Sequence, residues 1–148
     1  MAGIVLVKDV MSKDVQVERA DSSIREVVIK MNKFDIGSLI ITQEKRPVGI
    51  ITERDILRRI IQGGIDANIT KAREIMSSPV TTITEEASIE EAAKLMAQKG
   101  IKRLLVVRDN KLVGIISSTD LVKAQPTVVG LLEELLSRCP PPETGSKK

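Results

Sequence analysis

The feature that most constrains this chain is an internal repeat. Sliding the sequence by 65 residues aligns 8–59 with 73–124 without a gap, and fourteen of the 52 aligned positions are identical. About three identities would be expected by chance if each residue type occurs at its usual frequency of a few per cent. The chain is therefore predicted to hold two copies of one small unit, which pack together because each alone would bury too little apolar surface.

The repeat sets the predicted domain boundaries. The first copy is expected to span 8–62 and the second 73–125, with a glycine-containing linker at 63–72. The next segment, 126–138, is leucine-rich and amphipathic, and it predicts a C-terminal helix that docks on its own core or on a second chain. The last residues, 139–148, are rich in proline and charge and are predicted to be disordered.

Each copy predicts the same order of helices and strands. Ser23 and Ser88 stand three residues before a glutamate, the capping-box spacing that begins an amphipathic helix. Two short apolar runs separated by a polar turn follow, which predicts a hairpin of strands covered on both faces. A second helix is expected at about 53–61 and 118–123. The predicted fold class is therefore α/β, more specifically α+β. The two copies are expected to pack together through their sheets.

Composition removes several classes of function. Histidine is absent and Cys139 is the single cysteine, so neither Ser–His or Cys–His nucleophiles nor the usual zinc sites are expected. One cysteine and an apolar start too short for a signal peptide or membrane span favour a cytoplasmic location. Phe34 is the only aromatic residue, so a bound base would be held by aliphatic side chains and backbone. No catalytic residue, metal ligand or catalytic cofactor is predicted.

A duplicated motif ends the second strand of each hairpin. It reads Gly-Ile-Ile-Thr-Glu-Arg-Asp at 49–55 and Gly-Ile-Ile-Ser-Ser-Thr-Asp at 114–120. A helix N-terminus offers unpaired N–H groups and a partial positive charge to phosphate, and a hydroxyl there can also donate. An aspartate on the first turn can accept hydrogen bonds from a ribose diol. The same spacing is also that of a helix cap, so both interpretations stay open on these residues alone.

With this motif in both copies, the repeat resembles a pair of CBS (cystathionine-β-synthase) domains, also called a Bateman module, over about residues 8–124. The resemblance implies a β–α–β–β–α unit, pseudo-two-fold symmetry and clefts between the units that hold AMP, ADP, ATP, S-adenosylmethionine or NAD. It also implies a homodimer shaped as a flat disc of four units. We therefore expect a regulatory module that senses cellular energy by binding adenine nucleotides, with AMP as the first candidate ligand. It is expected to act in trans on a protein partner that the sequence does not identify.

The resemblance assigns ligand-binding roles to matching positions. The ribose-binding aspartates are Asp55 and Asp120. The hydroxyls on the phosphate side are those of Thr52 and Ser117. The adjacent positions that reach phosphate are Arg54 and Thr119. The segments that line the base pocket are Val15, Gln16, Val17, Ile36, Gly37 and Ser38 in the first copy, and Val80, Thr81, Thr82, Ile101, Lys102 and Arg103 in the second.

In such pairs the aspartate of one copy faces the base-lining segments of the other. Asp120 is therefore expected to lie with Val15 and Ile36. Asp55 is expected to lie with Val80 and Ile101.

The two copies differ at positions that bear charge. Lys102 and Arg103 stand where the first copy has glycine and serine, and Arg54 stands where the second copy has threonine. We expect unequal affinities for phosphate-bearing ligands, since guanidinium and ammonium groups bind phosphate. The alternative for Lys102 and Arg103 is a solvated basic edge.

Two other classes of function remain as alternatives. A nucleic-acid-binding or purely structural oligomerisation module is supported only by the net charge of +3. An enzyme is the third, and it is disfavoured because the paired carboxylates fall in different copies and no base or metal set accompanies them.

Overall fold

The computed structural model of the chain describes residues 4–138. By its own contacts the chain divides into two units. The first unit comprises Asp14–Thr81 with Asp109–Leu112, and the second comprises Thr82–Arg108 with the described residues 4–13 and 113–138. The tail predicted to be disordered, 139–148, lies outside the described residues.

Each unit holds a three-stranded sheet, in the order β1-β2-β3 in one and β4-β5-β6 in the other. In chain order the elements are α1 (Val7–Val10), β1 (Val17–Arg19), α2 (Ile24–Phe34), β2 (Ser38–Gln43), β3 (Arg46–Thr52), α3 (Glu53–Asp55) running into a π-helix (Ile56–Ile61), α4 (Ala72–Ile75), β4 (Thr82–Thr84), α5 (Ile89–Lys99), β5 (Arg103–Arg108), β6 (Lys111–Ser117), α6 (Ser118–Ala124), a 3₁₀ turn (Pro126–Val128) and α7 (Val129–Arg138). The predicted α+β class with two repeats is confirmed.

The two sheets share one pairing pattern. β1 runs parallel to β2 with Val17 opposite Ile40, and β4 runs parallel to β5 with Thr82 opposite Leu105. Both residues of the first pair map onto the second by the offset of 65 residues. The repeat read from identity is thus also a repeat of strand register.

The long helices begin where the sequence predicts. The Glu26 amide donates to Ser23 Oγ at 3.2 Å, and the Ser23 amide donates to Glu26 Oε1 at 3.1 Å. Ser88 and Glu91 exchange the corresponding bonds at 3.1 and 3.2 Å. These reciprocal bonds satisfy amides that would otherwise lack partners at the start of α2 and α5, which confirms both capping boxes.

The hairpin turns follow from backbone conformation. Glu44 and Lys45 have φ of 55° and 68°, and Asp109 and Asn110 have φ of 52° and 66°. Positive φ at both central residues is typical of the two-residue type I′ turn, whose twist matches that of paired strands. The polar turns predicted from the sequence are therefore tight hairpin connections.

Burial along the strands agrees with the prediction only in the central strands. The central runs of β2 and β5, Leu39–Thr42 and Leu104–Val107, are buried at every residue. The expectation of two covered faces is wrong for β3, where Gly49 and Ile51 are buried and Val48 and Ile50 are half-buried. Successive side chains of a strand point to opposite faces of the sheet, so this alternation means that one face of β3 is covered less completely than the other.

An N-terminal strap, Leu6–Ser12, completes the second unit. The Val7 amide donates to the Ala87 carbonyl at 2.8 Å, and the Ser12 amide donates to the Ile115 carbonyl at 2.9 Å. Val7 is fully buried in the apolar cluster of that unit. Sequence identity groups most of this strap with the first copy, whereas its contacts group it with the second unit.

A linker strap, residues 71–77, completes the first unit in the same way. The Ala72 amide donates to the Ser22 carbonyl at 2.7 Å, and the Ser77 amide donates to the Ile50 carbonyl at 2.9 Å. Ala72 is fully buried in the first unit's apolar cluster. Each unit is thus closed by the strap that precedes the other copy in sequence.

Candidate ligand-binding site

The first candidate junction lies where β3 passes into α3. The Thr52 amide donates to Asp55 Oδ2 at 2.9 Å, the Thr52 hydroxyl donates to the same oxygen at 3.0 Å, and the Asp55 amide donates to Thr52 Oγ1 at 3.2 Å. Both residues are half-buried. The carboxylate is thus fixed through Oδ2, and the cap does not use its second oxygen.

The second junction, between β6 and α6, repeats this geometry with one difference. The Ser117 amide donates to Asp120 Oδ2 at 2.9 Å, and the Asp120 amide donates to Ser117 Oγ at 3.1 Å. Within the described part of the chain, the Ser117 hydroxyl makes no counterpart to the bond that Thr52 Oγ1 donates to its aspartate. The Ser117 cap thus consists of the two bonds that backbone amides donate.

The helix tips offer fewer free amides than the sequence argument assumes. Besides the capped residues, the Glu53 amide donates to the Gly37 carbonyl at 3.0 Å, and the Ser118 amide donates to the Lys102 carbonyl at 2.8 Å. This corrects the expectation that the N-terminal amides are unpaired. Any phosphate held here would depend mainly on hydroxyls and nearby basic side chains, because the first amide of each helix is engaged by a carbonyl.

The capping interpretation of the motif is therefore correct in both copies. It does not replace the ligand interpretation, because a carboxylate has two oxygens and about four acceptor sites. The half-exposed Asp55 and Asp120 each use one oxygen for the cap. Their assigned role with ribose stays a prediction.

Within the first unit, the structure brings two predicted groups together. Ser38 stands opposite Thr52 in the register of β2 and β3. Gly37 adjoins the same junction through the bond that its carbonyl accepts from Glu53. One base-lining segment thus lies beside the hydroxyl of its own copy, whereas the predicted pairing of each aspartate with the other copy's segments stays a prediction.

The remaining predicted residues are distributed over both units. Exposed positions are Arg54, Thr82, Lys102, Arg103 and Thr119. Half-buried positions are Val15, Gln16, Val17, Ile36, Val80, Thr81 and Ile101. Exposure of the basic side chains is compatible with either phosphate contact or a solvated edge, so their role also stays a prediction.

Two methionines pack against the motif glycines, which composition alone did not reveal. A Cβ added at Gly49 would lie 2.6 Å from Met76 Cγ, and one added at Gly114 would lie 2.7 Å from Met11 Sδ. Each strap therefore presses directly on the strand that leads to the junction. In the sequence, the signal for this contact is that a methionine of the strap and a glycine of the strand occur in both copies.

Within residues 4–138, no group of three or more described His, Cys, Asp and Glu side chains is arranged to hold a metal ion. None of the helices in this range has both the length and the apolar character needed to cross a membrane.

The fold and the duplicated junction define a tandem α+β module of the CBS type. The CBS domain family model matches residues 7–62 and 72–127. The chain therefore belongs to the CBS domain family, as the sequence resemblance implied.

Known relatives extend over most of the chain. An uncharacterised protein of Methanopyrus kandleri is 40% identical over 136 residues, which covers 90% of this chain and 69% of that protein. The crystal structure of Hypoxic Response Protein I with two coordinated zinc ions has a TM-score of 0.73 at 26% identity, covering 82% of this chain and 99% of that one. The CBS domain pair of protein MJ0100, in complex with 5′-methylthioadenosine and S-adenosyl-L-methionine, has a TM-score of 0.68 at 32% identity, covering 84% and 98%.

Proposed function

We propose that this protein is a non-catalytic regulatory module that binds adenosine-type ligands in clefts between its two CBS repeats and acts on a partner protein in trans. AMP is the first candidate ligand, followed by ADP and ATP. S-adenosylmethionine and NAD share the adenosine group and belong to the same set. The proposal includes a homodimer and a cytoplasmic location.

The observation that carries this proposal is the pair of matching junctions. In each, a half-buried carboxylate is held rigidly by a hydroxyl residue and an amide at a strand–helix boundary. A preorganised carboxylate costs little to order when a sugar diol binds. The choice of an adenosine ligand is supported by the MJ0100 CBS pair, whose structure holds two such compounds.

The two junctions are proposed to differ in strength. The Thr52 hydroxyl donates to Asp55 Oδ2 at 3.0 Å, a bond that the cap formed by Ser117 and Asp120 does not include. Lys102 and Arg103 add two exposed positive charges to the base-lining segment of the second copy, which is predicted to face Asp55 and Thr52. We therefore expect the two clefts to bind phosphate-bearing ligands with unequal affinities.

A binding module regulates a partner only if its ligand distinguishes two states. Filling a cleft shifts an equilibrium by the difference in affinity for the two conformations or for the free and partner-bound forms. A change of about a hundredfold in partner affinity would need roughly 2.7 kcal/mol of such a difference. The coupling must therefore appear reciprocally, as a change in ligand affinity when the partner is present.

Calorimetric titration of the full chain tests the ligand. The titrants are AMP, ADP, ATP, S-adenosylmethionine, 5′-methylthioadenosine and NAD. We expect Asp120→Asn and Asp55→Asn to weaken binding at the affected cleft about 10- to 100-fold, since each removes a charged acceptor. An asparagine side-chain oxygen can still accept the bond that the Thr52 or Ser117 amide donates to this third helical position, so both variants retain the fold.

A matched control separates capping from ligand binding. Glu91→Gln alters a capping-box carboxylate at α5 that lies outside the proposed site, and its affinity should equal that of the wild type. Absence of heat and of thermal shift with every titrant would remove the proposal. So would wild-type affinity in both aspartate variants.

A further inference from the structure

The loop that leads into the central strand differs in charge between the two units. Gly37 and Ser38 stand at the start of β2, and Lys102 and Arg103 stand at the matching positions of β5. In each unit the carbonyl of the residue before the strand accepts a hydrogen bond from the first amide of the helix after the hairpin, at 3.0 and 2.8 Å. The two loops therefore occupy the same place in the two folds.

A carboxylate stands where the side chain that Gly37 lacks would begin. A Cβ built on Gly37 would lie 2.7 Å from Glu53 Oε1. In the second unit, the residue that matches Gly37 is Lys102 and the residue that matches Glu53 is Ser118. The same direction from the backbone thus leads to a negative group in the first unit and to a basic side chain in the second.

Neighbouring charges enlarge this difference. Asp35 and Glu53 line one groove of about 330 Å³ beside the loop, and both are exposed. Together with Arg54 they give this part of the first unit a net charge of −1. In the second unit the three matching residues are uncharged, so that Lys102 and Arg103 give a net charge of +2.

Charge is also the property that separates the candidate ligands. All of them contain adenosine, but their 5′ groups differ, since phosphates are negative, a thioether is neutral and a sulfonium is positive. Attraction and repulsion between charges extend over a Debye length of about 8 Å at physiological ionic strength. A loop that lines the base can therefore act on the charge of the 5′ group of the same ligand.

We propose that the two clefts sort adenosine ligands by charge, with Glu53 as the specificity-determining residue of the first loop. The cleft that Gly37 lines, expected to include Asp120, takes an adenosine derivative whose 5′ group is a thioether or a sulfonium. The cleft that Lys102 lines, expected to include Asp55, takes a phosphate-bearing derivative. This inference rests on the proposed function, because it assumes that adenosine ligands bind in these clefts.

The side chain of Glu53 is not part of the helix cap beside it. The cap is made by the bonds that Thr52 and Asp55 exchange. Glu53 contributes its backbone amide, which donates to the Gly37 carbonyl at 3.0 Å whatever the side chain is. Glu53→Gln therefore removes the charge while the shape of the side chain and the local fold are kept.

Calorimetric titration of the full chain tests the sorting with three probes that share adenosine and differ in 5′ charge. The probes are S-adenosylmethionine, 5′-methylthioadenosine and ATP. We expect ATP to bind protein that is already saturated with S-adenosylmethionine, because the two occupy different clefts. Asp120→Asn should weaken S-adenosylmethionine at least about 10-fold and leave ATP unchanged, and Asp55→Asn should do the reverse.

The role of Glu53 is measured in the Asp55→Asn background, which leaves the other cleft to report. Glu53→Gln should shift the ratio of the dissociation constants for S-adenosylmethionine and ATP about 5-fold toward ATP, as expected for one exposed charge. Glu53→Ser combined with Gly37→Lys, which installs the residues of the second unit, should shift the ratio at least about 10-fold. Glu53→Asp should keep the original preference. The neutral probe 5′-methylthioadenosine should bind Glu53→Gln as it binds the parent.

Glu90→Gln is the matched control, because it removes one carboxylate from an exposed position at the start of α5. Its ratio should equal that of the parent, and far-UV circular dichroism verifies that each variant is folded. The proposal is overturned if S-adenosylmethionine and ATP compete for both clefts with equal preference. It is also overturned if Glu53→Gln weakens all three probes alike, the mark of a structural role, or if Glu90→Gln shifts the ratio as much. Each of these results leaves ligand binding itself in place, whereas absence of heat with all three probes removes the proposed function as well.

Discussion

The two units have the same strand register, straps and capping boxes, yet they differ in how their helical faces are completed. The second unit is finished by α7, which buries Leu132 completely. The first leaves open a groove lined by Val28, Met31 and Ile56, and it continues α3 as a π-helix with Leu57 exposed. Duplication thus preserved the sheet and the junction, while the outer helical surface diverged. Surfaces diverge more readily than cores because they are free of the packing that holds core residues in place.

The composition of the two helices reflects this difference. α5 carries Ala93 and Ala97 at positions where α2 carries Val28 and Asn32. Small residues let a neighbouring helix approach closely, and both alanines are buried in the second unit. The bulkier valine and the polar asparagine instead line an open groove in the first unit.

The largest expected effect concerns α7, the helix that completes the second unit. Leu132→Ala removes a fully buried side chain of α7 and should lower the free energy of unfolding by about 2–5 kcal/mol. Val129→Ala, on the same helix but 38% exposed, should change it by less than about 0.5 kcal/mol. Urea unfolding followed by circular dichroism measures both, since the chain has no Trp or Tyr for fluorescence. Equal losses would mean that α7 does not complete the second unit.

An intermediate effect is expected at the motif glycines. Gly49→Ala and Gly114→Ala should each destabilise by about 1–3 kcal/mol, because the added Cβ meets the strap. At Gly49 the three nearest atoms all belong to the Met76 side chain, whereas at Gly114 the carbonyl oxygen of Ser12 lies at 2.8 Å. That carbonyl accepts a hydrogen bond from the Ile115 amide at 3.0 Å and cannot move freely.

Rescue by a second substitution distinguishes the two glycine sites. Met76→Ala should recover part of the loss caused by Gly49→Ala, since it removes the flexible end of the side chain. Met11→Ala should recover little of the loss caused by Gly114→Ala, because the backbone oxygen remains. Similar recovery in both double variants, measured by the same unfolding assay, would show that the two straps press on their strands alike.

Sequence reasoning predicted the local features because local patterns determine them. Ser23 with Glu26 begins a helix whatever lies around it, and the polar turn at Glu44 and Lys45 closes a hairpin between two apolar runs. Identity at fixed offset then showed that both copies share these elements. The family resemblance supplied the class of the fold, which the match to the CBS family confirms.

The features that sequence reasoning missed depend on contacts between distant residues. Lys8 pairs with Glu86, 78 positions away, and an alignment of two similar copies cannot tell which copy receives the strap. The engaged amides at the helix tips were missed for the same reason, since the Gly37 carbonyl reaches Glu53 only after the sheet has formed. The groove of the first unit is open because α7 packs on α5 of the second unit instead. The leucine pattern predicted the helix but not the surface on which it docks.

The smallest expected effect concerns the ion pairs on the straps, which correspond by the repeat offset. Lys8 Nζ lies 2.8 Å from Glu86 Oε1 in the second unit, and Arg73 pairs with Asp21 in the first. The Glu86 carboxylate, by its hydrogen bond and its charge, raises the pKa of the Lys8 amine above the ordinary 10.5. Both side chains of that pair are exposed, so we expect Lys8→Met to lower Tm at pH 7 by less than about 2 °C.

The pH dependence of stability tests how much the charge of Lys8 contributes to the N-terminal strap. Because the folded pKa of Lys8 lies above the unfolded value, the stabilisation is complete below pH 10.5 and is lost as pH rises through the folded pKa. The Tm difference between wild type and Lys8→Met should therefore vanish at high pH. Lys8→Arg should keep a higher Tm than Lys8→Met there, since a guanidinium stays charged. A loss of many degrees in Lys8→Met at pH 7 would mean that the ion pair holds the strap. The small loss expected assigns that role to the backbone bonds, such as the one from the Lys8 amide to the Glu85 carbonyl at 3.0 Å.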